Sequence, residues 1–205
     1  GYTDWVLAYH PPTGSAVKDT WLRTTNGWSK NTAYRLPTVI HDNRVTGHDG
    51  DIGRLNERTG DFLDLNGDGL MDWVTAFASS SGGSGGSAAW LNTGSGWQAS
   101  SAFAPPTNII HHGRGLEEAT PIDVNGDGRV DWVQAFTCGN ETKRKTWLST
   151  GTGWSLNSGY ALPDSINSYQ ESEIVNCKNR VQRGQFADVN GDGLPDWVRT
   201  HASVT

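Results

Sequence analysis

The sequence predicts an all-β protein, a β-propeller-like array of three repeats of roughly 60 residues, with roughly four strands in each repeat. Three observations lead to this prediction. A ten-residue acidic motif occurs three times along the chain, and a run of alternating apolar and polar residues follows each copy. Glycine accounts for 26 of the 205 residues and methionine for only one, a composition that disfavours long helices.

The acidic motif Asp-x-Asn-Gly-Asp-Gly-x-x-Asp-Trp stands at 64–73, 123–132 and 188–197, with spacings of 59 and then 65 residues. Residues 1–5 match the second half of a fourth copy. Each Asp-Trp pair opens a run with a period of two, which predicts a half-buried strand. The four equivalent predicted strands begin at Trp5, Trp73, Trp132 and Trp197.

A second motif, Trp-Leu-x-Thr-x-x-Gly-Trp, follows at 21–28, 90–97 and 147–154. Its Thr, Asn and Gly residues favour a tight turn between two strands that each carry a tryptophan. A proline-containing segment comes next, then a variable loop, and then the strand that leads into the next acidic loop. The proline dipeptides are Leu36-Pro37, Ala104-Pro105 and Leu162-Pro163.

We predict that the repeats form one continuous array, with no domain boundary between them. The serine- and glycine-rich stretch Ser79–Ser87 has the composition of a linker. Because it lies between the first and second strands of one repeat, we predict a long mobile hairpin loop there. The predicted divisions are repeat 1 at about 1–66, repeat 2 at about 67–125, repeat 3 at about 126–190 and a part-repeat at 191–205.

All ten tryptophans occupy positions that recur in the repeat. Residues that stack on a ligand rarely recur in every copy, whereas stacked repeats must bury a continuous apolar seam. We therefore expect the tryptophans to pack between repeats. Stacking of a few of them on a glycan is the alternative.

The acidic motif has the spacing of a calcium loop. Side-chain oxygens stand at loop positions 1, 3, 5 and 9 and a backbone carbonyl at position 7, while glycine permits the tight turn. A helical EF-hand is disfavoured because position 12 is Thr75, Gln134 or Arg199 and a strand follows. An Asx-rich turn without metal is the alternative. The predicted ligands of three Ca²⁺ sites are Asp64, Asn66, Asp68, Leu70 and Asp72; Asp123, Asn125, Asp127, Arg129 and Asp131; and Asp188, Asn190, Asp192, Leu194 and Asp196.

Charge agrees with the metal hypothesis. The three loops hold nine aspartates, and three Ca²⁺ ions would bring the net charge of −6 to about zero. The partial copy at the start offers only Asp4 as a ligand, so we do not count it as a site. The acidic balance disfavours nucleic acid as a partner, and no apolar stretch approaches the roughly 18 residues of a membrane helix, so we expect no membrane insertion.

These motifs resemble those of the FG-GAP/VCBS repeat family, which forms calcium-loop blades in integrin-α-like propellers, some fungal lectins and secreted toxin-complex or Rhs-type proteins. The resemblance covers nearly the whole chain and implies propeller-like blades. The Phe-Gly and Gly-Ala-Pro pieces that name the family are absent, with Leu-Pro or Ala-Pro nearby instead. Three complete repeats are also fewer than the four to eight blades of typical closed propellers.

The two cysteines predict a disulfide within the third repeat, Cys138–Cys177. No Cys-x-x-Cys pair or zinc-finger histidine spacing accompanies them, so structural zinc is disfavoured. Asn140-Glu-Thr142 has the pattern of an N-glycosylation acceptor. Together with the calcium loops, these features predict an extracellular or cell-surface protein.

We expect no enzymatic activity. The candidates for acid–base chemistry lie in two irregular segments, where solvated loop residues are the default, and they leave a polysaccharide lyase as the least favoured alternative. These candidates are His41, Asp42, His48, Asp49, Asp51 and Glu57 in the first repeat, and His111, His112, Glu117 and Glu118 in the second.

The predicted function is that of a non-catalytic, calcium-stabilised repeat module for structural assembly, cell adhesion or protein interaction. Its expected partners are other extracellular proteins or further copies of the chain. Because the two ends present the same strand type in successive repeats, we expect end-to-end association into a filament, with a dimeric ring as the second geometry. A fragment of a longer propeller would have the same ends. A lectin-like module that binds glycans is the alternative function.

Overall fold

The computed structural model describes residues 3–11, 13–42, 57–78, 86–111, 116–171 and 177–199. Within these ranges the protein is all-β, with a single turn of 3-10 helix at Ser158–Tyr160. No helix in the described ranges has the length and apolar character needed to cross a bilayer. The predicted all-β class is therefore confirmed.

The described strands form four sheets that follow one another along the chain. They are β1 Trp5–His10, β2 Val17–Thr24, β3 Gly27–Lys30, β4 His41–Asp42, β5 Glu57–Arg58, β6 Gly60–Leu63, β7 Asp72–Ala78, β8 Gly86–Asn92, β9 Trp97–Ser100, β10 Ile110–His111, β11 Leu116–Glu117, β12 Ala119–Ile122, β13 Asp131–Cys138, β14 Glu141–Ser149, β15 Trp154–Leu156, β16 Asn167–Glu171, β17 Cys177–Gln182, β18 Gly184–Ala187 and β19 Asp196–Arg199.

The first three sheets share one topology. The first sheet has the order β3-β2-β1-β4-β5. The second has the order β9-β8-β7-β10-β11 with β6 also paired to β7, and the third has the order β15-β14-β13-β16-β17 with β12 also paired to β13. The fourth sheet comprises β18 and β19. None of the sheets formed by the described residues closes on itself.

The central strand of each sheet is the one predicted after an acidic motif. The strands β1, β7, β13 and β19 begin at the four Asp-Trp pairs, and each of the first three forms a hairpin with the strand that carries the next tryptophan. The two tryptophans of each hairpin lie directly opposite each other in register. The pairs are Trp5↔Trp21, Trp73↔Trp90 and Trp132↔Trp147.

The prediction of roughly four strands per repeat is too low, because the first three sheets have five or six strands. The strand before each acidic loop pairs with the strand after it, and a short strand from the variable segment adds a parallel pairing to the central strand. In the first two sheets this added strand, β4 or β10, has only two residues. A strand of two residues is too short to show an alternating pattern in the sequence. It is recognised only by its pairing with the central strand.

Residues 79–85 of the stretch predicted as a long hairpin loop, Ser79–Ser87, lie outside the described residues, and the last two residues of that stretch belong to β8. The strands that flank it, β7 and β8, pair antiparallel in one sheet. The second and third sheets each contain the strand before an acidic loop and the strands after it, whereas the predicted boundaries between repeats fall inside the acidic loops. The domain divisions stay a prediction.

Tryptophans from one sheet pack against the preceding sheet. Trp73 is fully buried with Ala8 of the first sheet and Leu36 of the segment that follows β3, and its Nε1 donates to Thr38 Oγ1 at 2.7 Å. Trp132 is likewise fully buried against the second sheet, with Nε1 donating to the Thr107 carbonyl oxygen at 3.1 Å. The predicted packing of tryptophans between repeats is therefore present for Trp73 and Trp132, whereas it is wrong for Trp5 and Trp28, which are more than half exposed because no described sheet lies against them.

The predicted disulfide, Cys138–Cys177, is present within the third sheet. It joins the end of β13 to the start of β17, and both cysteines are buried in a cluster with Phe136 and Tyr169. Asn140 is exposed in the turn between β13 and β14, where a glycosylation acceptor would be accessible.

Candidate metal centres

Each acidic loop connects a short strand to the central strand of the same sheet. Two glycines in each loop, at loop positions 4 and 6, have a positive φ between 75° and 85°. Only glycine adopts this conformation without strain, so the two glycines determine the tight course of the loop. They are Gly67 and Gly69, Gly126 and Gly128, and Gly191 and Gly193.

The first loop folds around its own side-chain oxygens. Asp64 accepts hydrogen bonds from the backbone N–H groups of Gly67 at 2.9 Å, Asp68 at 3.2 Å and Gly69 at 2.9 Å. The side-chain Oδ1 of Asn66 accepts from the Asp68 N–H at 3.0 Å, and Asp68 Oδ1 accepts from the N–H of Leu70 at 2.8 Å. The loop therefore brings the oxygens of positions 1, 3 and 5 together around one turn.

The second and third loops repeat this network. Asp123 and Asp188 each accept from the two loop glycines that follow them, at 2.7 to 2.9 Å. Asn125 and Asn190 accept from the N–H of the next aspartate, and Asp127 and Asp192 accept from the N–H of position 7. The predicted ligands at positions 1, 3 and 5 are thus placed alike in all three loops.

The aspartate at position 9 is placed differently from the other three, because it is the first residue of the central strand. Asp72 is fully buried, and its two oxygens accept from the N–H groups of Leu65 at 2.9 Å and Asn92 at 2.8 Å. Asp131 is equally buried and accepts from Val124 at 3.0 Å and Ser149 at 2.8 Å. This carboxylate joins the loop to the tryptophan hairpin of its own sheet.

One bond of each kind recurs in the other two copies: the bond to the hairpin in the partial motif at residues 1–5, and the bond within the loop in the third motif. Asp4 accepts from the N–H of Arg23 at 2.9 Å, and Arg23 occupies the hairpin position of Asn92. Asp196 accepts from the Val189 N–H at 3.1 Å. The spacing of oxygens alone did not reveal this joining role, although the place of position 9 at the start of a strand is a signal that could have.

Burial raises the pKa of Asp72 and of Asp131. Loss of contact with water is the largest cause, and it exceeds the opposing effect of the backbone N–H bonds. The negative charges of Asp68 and Asp64 add to the rise at Asp72, as those of Asp127 and Asp123 do at Asp131. A cation placed among these carboxylates would lower both pKa values.

The residue at position 7 links successive loops. A Cβ added at Gly67 would lie 2.8 Å from Cγ of Arg129, so the Arg129 side chain lies across the first loop. Leu194 of the third loop lies against Gly126 of the second loop in the same way. Position 4 therefore needs glycine for its positive φ and also for the space that the next loop occupies.

Arg129 also makes the second loop unlike the other two. Its guanidinium forms an ion pair with Asp127 at 2.6 Å, so a positive charge already contacts one of the predicted metal ligands. The first and third loops have Leu70 and Leu194 at this position. The sequence analysis assigned position 7 only a backbone carbonyl as a metal ligand and gave its side chain no role. The signal was available, because the second motif has arginine where the other two have leucine.

The donor chemistry of the loops suits a hard divalent cation. Carboxylate, amide and carbonyl oxygens are the ligands that calcium prefers, and a carboxylate oxygen that accepts one N–H keeps a further lone pair. In the described part of the chain, no group of three or more His, Cys, Asp or Glu side chains is placed as a metal site requires. In this arrangement Asp64, Asp68 and Asp72 each accept backbone N–H groups.

The described residues that were considered for acid–base chemistry lie in different strands and have different partners. Glu117 forms an ion pair with Arg180, which joins the second sheet to the third. Thr107 Oγ1 donates to Glu118 at 3.3 Å. The strand β4 contains His41 and Asp42, while β5 and β10 contain Glu57 and His111. His48, Asp49, Asp51 and His112 lie outside the described residues.

Comparison with known families identifies one segment. Residues 64–134, about a third of the chain, match the family model of the FG-GAP-like repeat. This segment is similar to an FG-GAP-like repeat. No curated protein and no solved structure is significantly similar to the chain. The FG-GAP-like repeat extends from the first loop through the second and into β13, and the predicted resemblance is thereby confirmed for this segment.

Proposed function

We propose that the chain is a non-catalytic, calcium-stabilised β-repeat module that serves structural assembly or protein interaction outside the cell. The observation that carries this proposal is the construction of one oxygen-rich loop three times with the same hydrogen bonds. The FG-GAP-like repeat at 64–134 supports a role as an interaction module.

In the proposed sites, calcium takes its ligands from one loop each. In the first loop these are Asp64, Asn66, Asp68 and the carbonyl of Leu70, with the remaining lone pairs of Asp72 on the buried side. Calcium accepts six to eight oxygens, so water completes the coordination. The other two sites use Asp123, Asn125, Asp127, Arg129 and Asp131, and Asp188, Asn190, Asp192, Leu194 and Asp196.

Calcium would stabilise the fold by offsetting the charge that each loop concentrates. The carboxylates of Asp64 and Asp68 repel the buried carboxylate of Asp72, which is costly to ionise away from water. That carboxylate also holds the hairpin through the N–H of Asn92. An ion among these three carboxylates would keep all of them ionised and strengthen the junction of loop and hairpin.

The Cys138–Cys177 disulfide supports an extracellular setting, because disulfides persist in oxidising compartments. The exposed position of Asn140 in a turn suits glycosylation. The packing of tryptophans from each sheet onto the sheet before it suits a propeller-like array. We propose these three assignments together with the module function.

Calcium titration of the chelator-treated chain by calorimetry tests the proposal. We expect three bound ions per chain. Asp68→Ala should reduce this number to two, since each loop supplies its own ligands. Asp61→Ala, which removes an acidic residue that pairs with Arg58 outside the loop, should leave it at three. Fewer than two bound ions in the unaltered chain would contradict the proposal.

A carbohydrate-binding module is the second candidate, because one aromatic surface of the first sheet is exposed. The rings of Trp5 and Trp21 stack at a centroid distance of 4.7 Å, and Trp5 and Trp28 are 53% and 55% exposed. Sugars stack on exposed aromatic rings of this kind. A glycan array decides between the candidates: selective binding that Trp5→Ala and Trp28→Ala abolish would favour the lectin-like function.

A further inference from the structure

Each acidic loop contains an asparagine followed by a glycine, at loop positions 3 and 4. The pairs are Asn66-Gly67, Asn125-Gly126 and Asn190-Gly191, and a further pair, Asn26-Gly27, lies at the turn between β2 and β3. The backbone nitrogen that follows an asparagine can attack the side-chain amide carbon, and glycine hinders this attack least because it has no Cβ. Asn-Gly pairs are therefore the places where a chain most readily loses ammonia.

The nitrogen that would attack in the first loop already donates a hydrogen bond. The N–H of Gly67 donates to Asp64 Oδ1 at 2.9 Å. Ring closure removes this hydrogen from the nitrogen, so the bond to the carboxylate is lost in the cyclic imide. Because the Asp64 carboxylate is too weak a base to take the proton of a backbone amide, the bond opposes the attack.

The side-chain amide of Asn66 is held at both of its polar atoms. Its Oδ1 accepts from the Asp68 N–H at 3.0 Å, and its Nδ2 donates to Asp68 Oδ2 at 2.9 Å. Ring closure bonds the amide carbon to the Gly67 nitrogen and expels Nδ2 as ammonia, so the bond to Asp68 Oδ2 is lost as well. Hydrogen bonds to an ionised carboxylate are among the stronger ones in proteins, so the closed loop resists the reaction.

The other two loops form the same bonds between the same positions. The glycine at position 4 donates to the aspartate at position 1 at 2.7 Å in both loops, and the asparagine Nδ2 donates to the aspartate at position 5 at 3.1 Å and 2.9 Å. The residues that form these bonds are Asp123, Asn125, Gly126 and Asp127, and Asp188, Asn190, Gly191 and Asp192.

We propose that Asn66, Asn125 and Asn190 are deamidation sites that the closed acidic loop keeps unreactive and that opening of the loop activates. In the open loop the glycine nitrogen attacks the amide carbon, and ammonia leaves with the hydrogen of the glycine N–H. Water then opens the cyclic imide at either of its carbonyls, which leaves aspartate or isoaspartate at position 3. The proposal goes beyond the module function and does not require bound calcium.

Either product changes the loop permanently. Aspartate at position 3 adds a carboxylate to a loop that already has three, at positions 1, 5 and 9, and so increases the repulsion within it. Isoaspartate lengthens the main chain by one carbon between positions 3 and 4. In the first loop this would displace Gly67 from the Arg129 side chain that lies against it and from Asp64. Each opening of a loop therefore limits how long the loop can keep its closed form.

Incubation of the 205-residue chain in chelator at mildly alkaline pH, below its melting temperature, tests the proposal. Peptide mapping by mass spectrometry at intervals locates each conversion of amide to acid. We expect the three loop asparagines to deamidate about tenfold more slowly in the folded chain than in the chain unfolded in urea, because reaction in the folded chain requires local opening. Asn26 is exposed in its turn and serves as the internal reference, with a smaller difference between the two conditions.

Two variants distinguish opening of one loop from loss of the whole fold. Asp64→Ala removes the acceptor of the Gly67 N–H, and Asp123→Ala removes that of the Gly126 N–H. Each variant should raise deamidation in its own loop about tenfold and leave the other loop unchanged, because a charged hydrogen-bond partner is lost in one loop only. Asp61→Ala is the matched control, since it removes a carboxylate that pairs with Arg58 outside the loop, and it should change none of the rates.

Equal rates for the loop asparagines in the folded and the unfolded chain would overturn the proposal. Variants in which both loops change together would overturn it too, because the protection would then belong to the whole fold and not to each loop. The same incubation in calcium separates this inference from the proposed function. Rates that are identical in calcium and in chelator, with the effects of the two variants intact, would support the deamidation sites and contradict the stabilisation of the loops by calcium.

Discussion

The first sheet and the second sheet carry the same tryptophans in different surroundings. Trp5 and Trp73 stand at the same position of the repeat, and each faces the equivalent tryptophan across its hairpin, Trp21 or Trp90. Trp73 is fully buried against the first sheet, while Trp5 is 53% exposed. The repeat therefore determines where an aromatic side chain projects, and the adjacent sheet determines how much it stabilises the protein.

The largest expected difference follows from removing an equivalent tryptophan from each environment. Trp132→Ala should lower the free energy of unfolding by about 3–5 kcal/mol, because it leaves a cavity between the second and third sheets. Trp5→Ala should change it by less than about 1 kcal/mol, since that ring is half exposed. Urea unfolding of both variants measures the two effects, and equal losses would contradict the comparison.

The third sheet differs from the first two in its disulfide. The bond closes a segment with a sequence separation of 39, so replacing both Cys138 and Cys177 with alanine should cost about 3–4 kcal/mol by the loop-entropy relation. Thermal melts of this variant and of the unaltered chain under reducing conditions should agree. A melting temperature that neither treatment changes would show that β17 needs no covalent support.

The carboxylate at position 9 also differs between the sheets. Asp72→Ala leaves the buried N–H group of Leu65 and the partly buried N–H group of Asn92 without their acceptors and should cost about 2–3 kcal/mol. Asp4→Ala removes an exposed bond to Arg23 and should cost less than about 1 kcal/mol. Melts in chelator isolate this joining role from calcium, and equal costs would contradict it.

The smallest expected effect concerns the three loops. Arg129→Leu gives the second loop the position 7 residue of the other two and removes a guanidinium from Asp127. Calcium affinity at that loop should rise by about three- to tenfold, since one nearby positive charge is removed. Leu70→Arg should lower the affinity of the first loop similarly. Calorimetric titration of both variants compares the loops, and unchanged affinities would show that the guanidinium does not compete with calcium.

Much of the fold could be predicted because the repeat presents the same pattern several times. The central strands, the tryptophan hairpins and the burial of Trp73 and Trp132 all follow from period-two runs and recurring tryptophans. The strands β4 and β10 could not be predicted, since two residues have no periodicity of their own. They exist because the central strand offers an unpaired edge beside them.

The candidate site was only partly predictable for a similar reason. Oxygen spacing identified Asp64, Asn66 and Asp68, which the structure brings together around one turn. Spacing could not show that Asp72 would turn inward to the N–H of Asn92, because that contact bridges 20 residues. The exposure of Trp28 was equally invisible, since its sequence environment matches that of the covered Trp97.

The melting temperature of the unaltered chain in calcium and in chelator tests the central proposal, calcium stabilisation, most directly. A site filled at 100 times its Kd contributes about 2.7 kcal/mol, and each kcal/mol corresponds to about 2–4 °C in a chain of this size. With three loops filled, the melting temperature should rise by more than about 10 °C, and magnesium at the same concentration should have a smaller effect. Identical melting temperatures in calcium and in chelator would contradict the account.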